Sequence, residues 1–308
     1  MKVSRYPLSD DLWNRIHSLV VDSLFSSLGF INVWRTIGGK PVCWLVEQND
    51  LLLAVFPSVE FGVRPVKRLY AMPNGCYGRL FFCDSNTIDK REIAHHLLGE
   101  LANAGYIKLC FYDFYGCIPS HPDFQVRKCY TTLVDISTPD WEPPNKKLRQ
   151  QIHKAEREGI HLETFDFHKH FPQFLKLVKL SDKRIGCRTT YTPAFFEALA
   201  ALAENDTRVR WIWCERDGEP VSSNIFIVEG DNLLHWQAYF NEAFSFLQPS
   251  KYIPFITARA AAQEGITHLN LGATPENAPG VVYYKSKWGG KQYPYNCYYH
   301  KSGLGKLV

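Results

Sequence analysis

Apolar residues in the first half of the chain follow two spacings, which predict helices and strands in alternation. Between Leu8 and Leu28 they recur every three or four positions, as in a helix, with Ser9 in place to cap its first turn. The same spacing predicts a helix over 88–104, which Gly105 ends. Short apolar and β-branched runs predict strands over 41–48, 51–59, 79–83, 107–111 and 126–136.

The second half repeats this order of elements. Helical spacing predicts helices over 145–158, 171–180, 193–204 and 251–264, with Thr192 capping the third. Strands are predicted over 209–215, 221–228, 233–240, 268–271 and 296–300. In both halves helices precede three antiparallel strands, and a further helix and strand follow. No residue-level repeat accompanies this order, so the duplication concerns the order of elements only.

A proline-rich segment separates the two halves. Residues 137–144 contain Pro139, Pro143 and Pro144, which neither a helix nor an interior strand tolerates. We therefore predict two domains, 1–140 and 141–308, of α/β (α+β) class. Each is expected to hold a mixed, mainly antiparallel sheet flanked by helices.

The composition excludes several classes of protein. Hydrophobic residues make up 45% and charged residues 21% of the chain, which is typical of a globular protein. No apolar run approaches the roughly 18 residues that cross a bilayer, and the N-terminus lacks the apolar core of a signal peptide. We therefore expect a cytoplasmic protein with no transmembrane segment. The nine cysteines are scattered without a CxxC pair, so we expect no zinc or other metal site.

The net charge of +4 lies in the second half of the chain. So small an excess does not indicate a DNA-binding protein. Its densest part is the predicted helix 145–158, whose basic face is most simply solvated; the alternative is a landing surface for tRNA or an acidic carrier protein. The residues of that face are Lys146, Lys147, Arg149, His153, Lys154 and Arg157.

The step from strand 233–240 to helix 251–264 has the features of an anion site. Ser250 is a good N-cap, and the amides of a first helical turn have no partner within the helix. With the positive end of the helix dipole and Lys251, these amides suit a phosphate group. The alternative is an ordinary capped helix with a solvated lysine.

Three segments, in order, resemble the FemAB-like branch of the GNAT acyltransferases. Leu148 to Ile160 is similar to that family's "LRRxIRKAEREGV" helix. Leu234 to Phe240, followed by Gln248 to Lys251, lies where the family has its donor strand and phosphate loop. Tyr284 to Gly290 matches the closing "FKxxFGG" pattern, whereas Asn270-Leu271-Gly272 departs at its first residue from the "DFG" strand that precedes it.

The resemblance implies two tandem GNAT-like domains, a divergent N-terminal one and a donor-binding C-terminal one. It implies that Lys285 places positive charge on the oxyanion or on a donor phosphate. Tyr239 and Tyr284 are candidate proton donors, with packing as the alternative. The residues expected to contact the donor are Trp236, Gln237, Gln248, Pro249, Ser250, Lys251 and Tyr252.

The activity implied is N-acyl transfer to an amine acceptor, possible acceptors including a cell-envelope or polysaccharide precursor. The donor is a co-substrate rather than a tightly bound cofactor: acyl-CoA, an acyl carrier protein or an aminoacyl-tRNA. The alternative is a non-catalytic GNAT-like binding module, since no obvious general base is present. Asp113, at the end of a predicted strand, is a further candidate contact for the acceptor. The adjacent His95 and His96 face different sides of a predicted helix, which argues against their binding a metal ion together.

Overall fold

The computed structural model describes residues 1–83, 88–138, 140–186, 188–274 and 278–302. Contacts within the chain divide it into two compact units: unit 1 is Met1–Cys129 with Pro294–Val308, and unit 2 is Tyr130–Tyr293. The domains predicted from sequence, 1–140 and 141–308, divide the chain at the proline-rich segment instead. Pro139 of that segment and Cys187 lie outside the described residues, and the eight described cysteines form no disulfide with one another.

Unit 1 is a mainly antiparallel sheet with the order β1-β2-β3-β4-β6-β13, in which only β4 and β6 run parallel and the short β5 pairs with β3. The apolar face of α3 packs into its core. Its elements are β1 (Lys2–Pro7), α1 (Asp10–Val20), α2 (Leu28–Val33), β2 (Lys40–Gln48), β3 (Leu51–Phe61), β4 (Arg68–Ala71), β5 (Phe81–Phe82), α3 (Lys90–Asn103), β6 (Lys108–Asp113), the start of β7 (Gln125–Asp135) and most of β13 (Lys291–Lys301).

The single helix predicted over 8–28 is wrong beyond Val20, although Ser9 caps α1 as predicted, accepting from the Leu12 amide at 3.3 Å. Serines interrupt the helix. Ser23 Oγ accepts from the Ser26 amide at 3.2 Å, and Ser27 Oγ accepts from the Phe30 amide at 3.2 Å to start α2. Serine side chains that bond nearby amides offer the backbone an alternative to helix.

A buried carboxylate braces the sheet of unit 1. Glu60 is 1% exposed and accepts from Arg5 at 2.6 Å, while Lys67 Nζ lies 2.8 Å away and the Tyr106 hydroxyl also donates to it. Burial raises the pKa of Glu60, but the bonds from Arg5, Lys67 and Tyr106 more than offset it, so the pKa is lowered. The charged form is therefore the one that stabilises the fold.

We expect Glu60→Gln to lower the free energy of unfolding by about 2 kcal/mol, because the substitution leaves the positive charges of Arg5 and Lys67 without their buried partner. The partial exposure of Arg5 to solvent limits this loss. Because the folded pKa lies below the unfolded one, the wild-type contribution is present above about pH 4.5 and is lost as the pH falls below it. Urea unfolding at pH 7 and in mild acid measures both effects. An E60Q variant with wild-type stability at pH 7 would contradict the assignment.

Unit 2 has the sheet order β7-β12-β11-β10-β9-β8, in which only β11 and β12 run parallel. The predicted mixed, mainly antiparallel sheets with flanking helices are therefore confirmed. The elements of unit 2 are the rest of β7, α4 (Lys146–Arg157), β8 (His161–Thr164), α5 (Phe167–Ile185), α6 (Pro193–Asn205), β9 (Val209–Arg216), β10 (Glu219–Glu229), β11 (Asn232–Phe240), α7 (Pro249–Gln263), β12 (His268–Ala273), α8 (Pro279–Ser286) and the start of β13.

Both faces of this sheet are covered by helices. Leu148 of α4 and Ile253 of α7 share a core with Cys214 of β9. Trp211 and Trp213, which alternate with Cys214 along β9, face the other way, and Phe174 of α5 packs on Trp211 with ring centroids 5.0 Å apart. Among the helices in the described part of the chain, none combines the length and hydrophobicity that crossing a bilayer requires.

Candidate functional site

The two parallel strands of unit 2 separate partway along their length. Cα pairing between β11 and β12 covers Asn232 with His268, Leu233 with Leu269 and Leu234 with Asn270. β11 then continues to Phe240 without a recorded pairing to β12 in the described chain. Within the described residues, the β12-facing edge of β11 is therefore unpaired with β12 beyond Leu234, and we refer to this stretch as the open section. Trp236 and Gln237, predicted to border the donor, lie in this open section.

The end of β12 is held in place by Asn270, at the position where the family pattern has aspartate. Its side chain is fully buried, and Oδ1 accepts from Thr131 Oγ1 at 2.5 Å and from the Gly272 amide at 2.9 Å. Gly272 has a φ of 76°, which favours glycine. The Asn270 amide oxygen accepts both hydrogen bonds without placing a charge in this fully buried position.

Lys285 joins α8 to the same end of β12. The residue is 6% exposed, and its Nζ donates to the Gly272 and Ala273 carbonyls at 2.6 and 2.9 Å and to Thr274 Oγ1 at 3.0 Å. An ammonium group has three N–H donors, so these bonds use all of them. Burial lowers the pKa of Lys285 to about 8. Lys285 therefore holds the end of β12 in place beside the open section of β11. To contact an oxyanion or phosphate directly, its ammonium group would have to exchange one of these three hydrogen bonds.

A chain of buried polar groups that sequence reasoning missed leads to the opening. Ser222 Oγ donates to the Tyr239 carbonyl at 2.9 Å and accepts from Asn224 Nδ2 at 2.9 Å. Asn224 Oδ1 therefore faces His235, whose Nε2 lies 2.9 Å away and must donate to it. The tautomer this requires leaves a lone pair on His235 Nδ1, for which the described chain records no hydrogen-bond donor.

The surroundings of His235 keep its imidazole neutral. Its ring stacks on Phe226 with centroids 4.6 Å apart. Burial, followed by the nearby charge of Lys285, lowers the pKa of His235 to about 4. A neutral imidazole with an open nitrogen is a proton acceptor. In the sequence, Ser222, Ser223 and Asn224 interrupt the apolar run of β10, which indicates a buried polar cluster but does not connect that cluster to His235.

The start of α7 differs from the prediction in one respect. The helix begins at Pro249, and its N-cap is Gln248 in the left-handed region with φ 56°. Ser250 is therefore not the cap. The Lys251 and Tyr252 amides both donate to the Gln248 carbonyl, at 3.0 and 3.1 Å, so neither is a free donor for an anion.

Positive charge nevertheless collects at this helix end. The half-buried Lys251 donates through Nζ to Gln248 Oε1, and burial together with the charge of Lys287 lowers its pKa. Lys287 Nζ lies 4.0 Å from the ring centroid of Tyr283. Two ammonium groups that repel each other at a helix N-terminus favour binding of an anion, which would relieve that repulsion.

The two candidate tyrosines occupy different environments. The Tyr284 hydroxyl donates to the Ser250 carbonyl at 2.7 Å and so ties α8 to the first turn of α7; burial raises its pKa. Tyr239 is 4% exposed and packs edge-on against Phe174 and Phe196 of α5 and α6, at 5.2 and 5.8 Å. The structure thus brings Tyr284 to residues 248–252, whereas Tyr239 packs in an aromatic core.

Other candidates have structural partners. Asp113 is 1% exposed and accepts from the Cys117 and Ile118 amides at 3.0 and 2.9 Å, as the cap of a turn in unit 1. His96 Nε2 lies 3.0 Å from the Met1 carbonyl, and the His95 ring packs against that of His121 in a tilted arrangement with centroids 4.3 Å apart. In the basic face of α4, Arg149 Nη1 donates to the Pro143 and Pro144 carbonyls, both at 2.8 Å.

Glu163, His170 and Glu215 place ligand atoms within 4.8 Å of one another. They do not fit a metal ion. The Asp166 amide donates to His170 Nδ1 at 2.9 Å, so a neutral His170 holds its proton on Nε2, the atom 3.2 Å from Glu163 Oε1 that would have to bind the metal. Lys169 Nζ also occupies that oxygen, at 2.6 Å.

Comparison with known proteins identifies the fold and a domain. Residues 145–286 match the family model described as Acetyltransferase (GNAT) domain. The structure of FemX is similar over 99% of both chains, with a TM-score of 0.69 and 12% identity. No curated protein sequence matches the chain.

Two further solved structures share the fold. The C-terminal domain of a putative lysylphosphatidylglycerol synthetase from Agrobacterium fabrum has a TM-score of 0.59 and 13% identity over 96% of this chain and 93% of its own. A tandem GNAT protein from the clavulanic acid biosynthesis pathway has a TM-score of 0.52 and 10% identity over 98% and 99%. The predicted GNAT fold is confirmed.

Proposed function

We propose that this chain, whose residues 145–286 match the GNAT acetyltransferase domain, moves an acyl or aminoacyl group to an amine with its donor held where β11 and β12 separate. The observation that carries the proposal is the open edge of β11 beyond Leu234, with Lys251 and Lys287 at the start of α7. An extended donor arm fits an open strand edge, and its phosphate fits the paired lysines. Both features lie in unit 2.

The lysine pair suits each of the three possible donors, because acyl-CoA, the phosphopantetheine arm of a carrier protein and the terminus of aminoacyl-tRNA all carry phosphate. We take acyl-CoA as the first to test, since the matched domain is described as an acetyltransferase. The donor carbonyl would lie along the open backbone of β11, whose amides provide hydrogen bonds to the developing oxyanion.

His235 supplies the proton acceptor in this mechanism. The nitrogen of the acceptor amine attacks the donor carbonyl carbon, a C–N bond forms, and the C–S bond of a thioester or the C–O bond of an aminoacyl ester breaks. The amine proton passes to His235 Nδ1 and from there to the leaving thiolate or alkoxide. Asn224 and Ser222 hold the imidazole in the tautomer that this transfer needs.

For the acceptor, we propose an amine on a cell-envelope or polysaccharide precursor, used in the cytoplasm. The fold shared with FemX and with a lysylphosphatidylglycerol synthetase domain supports an envelope substrate, since the latter's name places its product among membrane phospholipids. Amine-bearing precursors in a coupled assay would test this choice, which stands apart from the choice of donor.

Lys251→Ala and Lys287→Ala are each expected to weaken coenzyme A binding about tenfold, because a hydrogen bond to a charged group contributes roughly 1.5–3 kcal/mol. Titration calorimetry measures the change. The matched control is Lys146→Ala with Lys147→Ala, two exposed lysines of α4, which should leave affinity unchanged.

Amide shifts on adding coenzyme A should fall around Gln248–Tyr252. Perturbation confined to unit 1 would show that the donor site is misplaced. If coenzyme A does not bind but a non-hydrolysable aminoacyl-tRNA analogue does, with the same two lysines required, the donor is the tRNA ester.

A further inference from the structure

The C-terminal end of α5 carries a basic surface that the acyl transfer does not use. We define it as Lys176, Lys179, Lys183 and Arg184, all of which are exposed. Asp182 is the one acidic residue between positions 176 and 188. Within the described ranges, none of the three lysines forms an ion pair or a hydrogen bond.

An open cavity of about 420 Å³ lies in this surface. Lys179, Lys183 and Arg188 line it together with Asp182. The carboxylate is already engaged, since Asp182 Oδ1 accepts from the Thr189 amide at 3.0 Å. The cavity is therefore a predominantly cationic concavity of a size that admits a phosphate group.

Two apolar side chains stand among these cations. Leu180 is 43% exposed and Ile185 is 64% exposed. Solvation and the negative end of the helix dipole account for the cations at this helix C-terminus. Single exposed aliphatic side chains are common on protein surfaces, and what distinguishes Leu180 and Ile185 is their place among four cations of one helix end. Cations with interleaved apolar residues are typical of surfaces that lie on anionic bilayers.

The surface also lies at the end of unit 2 where the strands have separated. Ser181, on the buried side of the same stretch of α5, accepts through Oγ from the Phe240 amide at 2.9 Å, and Phe240 is the last residue of β11. A 3₁₀ helix over Glu242–Leu247 then leads from β11 to the start of α7. A partner docked on the α5 surface would thus approach the end of the sheet that carries the candidate site.

We propose that this surface docks the protein on a bilayer containing anionic phospholipid, with a headgroup phosphate in the cavity and Leu180 and Ile185 at the level of the headgroups. Charge complementarity selects an anionic partner. The exposed aliphatic side chains select a lipid surface over a nucleic acid, whose phosphate backbone offers them no apolar environment.

The experiment is co-sedimentation of the full chain with vesicles of equimolar phosphatidylcholine and phosphatidylglycerol, and with vesicles of phosphatidylcholine alone. We expect binding to the first, weakened by added salt, and no binding to the second. Lys179→Gln with Lys183→Gln should reduce partitioning about 25-fold, at about fivefold per lysine near an anionic surface. The matched control is Lys146→Gln with Lys154→Gln on α4, which should bind as the wild type does.

A second pair of variants tests the apolar contribution. Leu180→Ser with Ile185→Ser should reduce partitioning about tenfold, whereas Leu51→Ser with Val63→Ser, aliphatic residues of unit 1 that are at least as exposed, should not. All these side chains are exposed, so melting temperatures should stay at the wild-type value and exclude misfolding.

Three results would overturn the proposal. Equal binding to both vesicle types would show that charge does not drive the binding. Equal losses of vesicle binding in the α5 and α4 double variants would show that this surface is not the binding site. If inorganic phosphate or tRNA binds and is lost in the K179Q/K183Q variant while vesicles do not bind, the surface serves a soluble anion or a nucleic acid instead.

Discussion

Lys285→Met is expected to lower kcat about 100-fold and the free energy of unfolding by about 2 kcal/mol. The substitution leaves the carbonyls of the half-buried Gly272 and the exposed Ala273 without the ammonium that now bonds both, and a hydrogen bond to a charged group contributes roughly 1.5–3 kcal/mol. These carbonyls fix the end of β12 beside the opening. A shift of about 1 Å in a group that positions a substrate costs on the order of 100-fold in rate. Steady-state kinetics and thermal unfolding measure the two effects.

Lys287→Met is the matched control, since Lys287 rests on the ring of Tyr283 and braces no strand. It should change donor affinity while leaving kcat and stability near wild type. A rise in KM with constant kcat for Lys285→Met would mean that Lys285 exchanges a bond to hold a donor phosphate. Wild-type stability and kinetics would remove it from both roles.

His235→Gln is expected to lower kcat by about 100-fold or more, the usual contribution of a positioned general base. Glutamine still reaches Asn224 but offers no basic nitrogen where Nδ1 stands. The proton acceptor must be neutral, and the pKa of His235 is about 4 because of burial and the charge of Lys285. The wild-type rate should therefore hold constant down through mildly acidic pH and fall only near pH 4, as the imidazole gains a proton.

The pH profile separates this role from a merely structural one. Removing the positive charge of Lys285 removes one of the two causes that lower the pKa of His235, so in the Lys285→Met variant the acid limb should move to higher pH. An acid limb that stays in place in that variant, or full kcat in His235→Gln, rules out His235 as the base. Rate measurements across pH, with unfolding checked at each value, give the answer.

Elements set by local chemistry could be predicted from the sequence. Thr192 caps α6, accepting from the Phe195 amide at 3.3 Å, and α4 begins and ends within a residue of its predicted bounds, because a cap and an amphipathic face are properties of neighbouring residues. The start of α7 was misplaced because Ser250 is a better cap by residue type than Gln248. Only the left-handed backbone at Gln248 and proline at the first helical position fix the true start.

The candidate base could not be predicted, because it depends on register between strands. A shift in pairing between Ile225 and Phe226 places Phe226 opposite His235, and the Asn224 side chain reaches the imidazole across the strands. No sequence pattern records a one-residue shift of this kind. Two of the three partners of Lys285 are equally hidden, since the Gly272 and Ala273 carbonyls belong to the backbone and carry no sequence signature.

The place of β13 sets the order in which the chain can finish folding during synthesis. β13 pairs with β6, and the Tyr298 hydroxyl donates to the Ile118 carbonyl across a separation of 180 residues. Unit 2 is encoded between these partners as one uninterrupted stretch. A ribosome therefore synthesises all of unit 2 before β13, the last strand of unit 1. During synthesis, native contacts form early only between residues that are close in sequence. The nascent chain carries β6 without its partner β13 until all of unit 2 has been translated, so unit 1 starts to form before unit 2 but is completed after it.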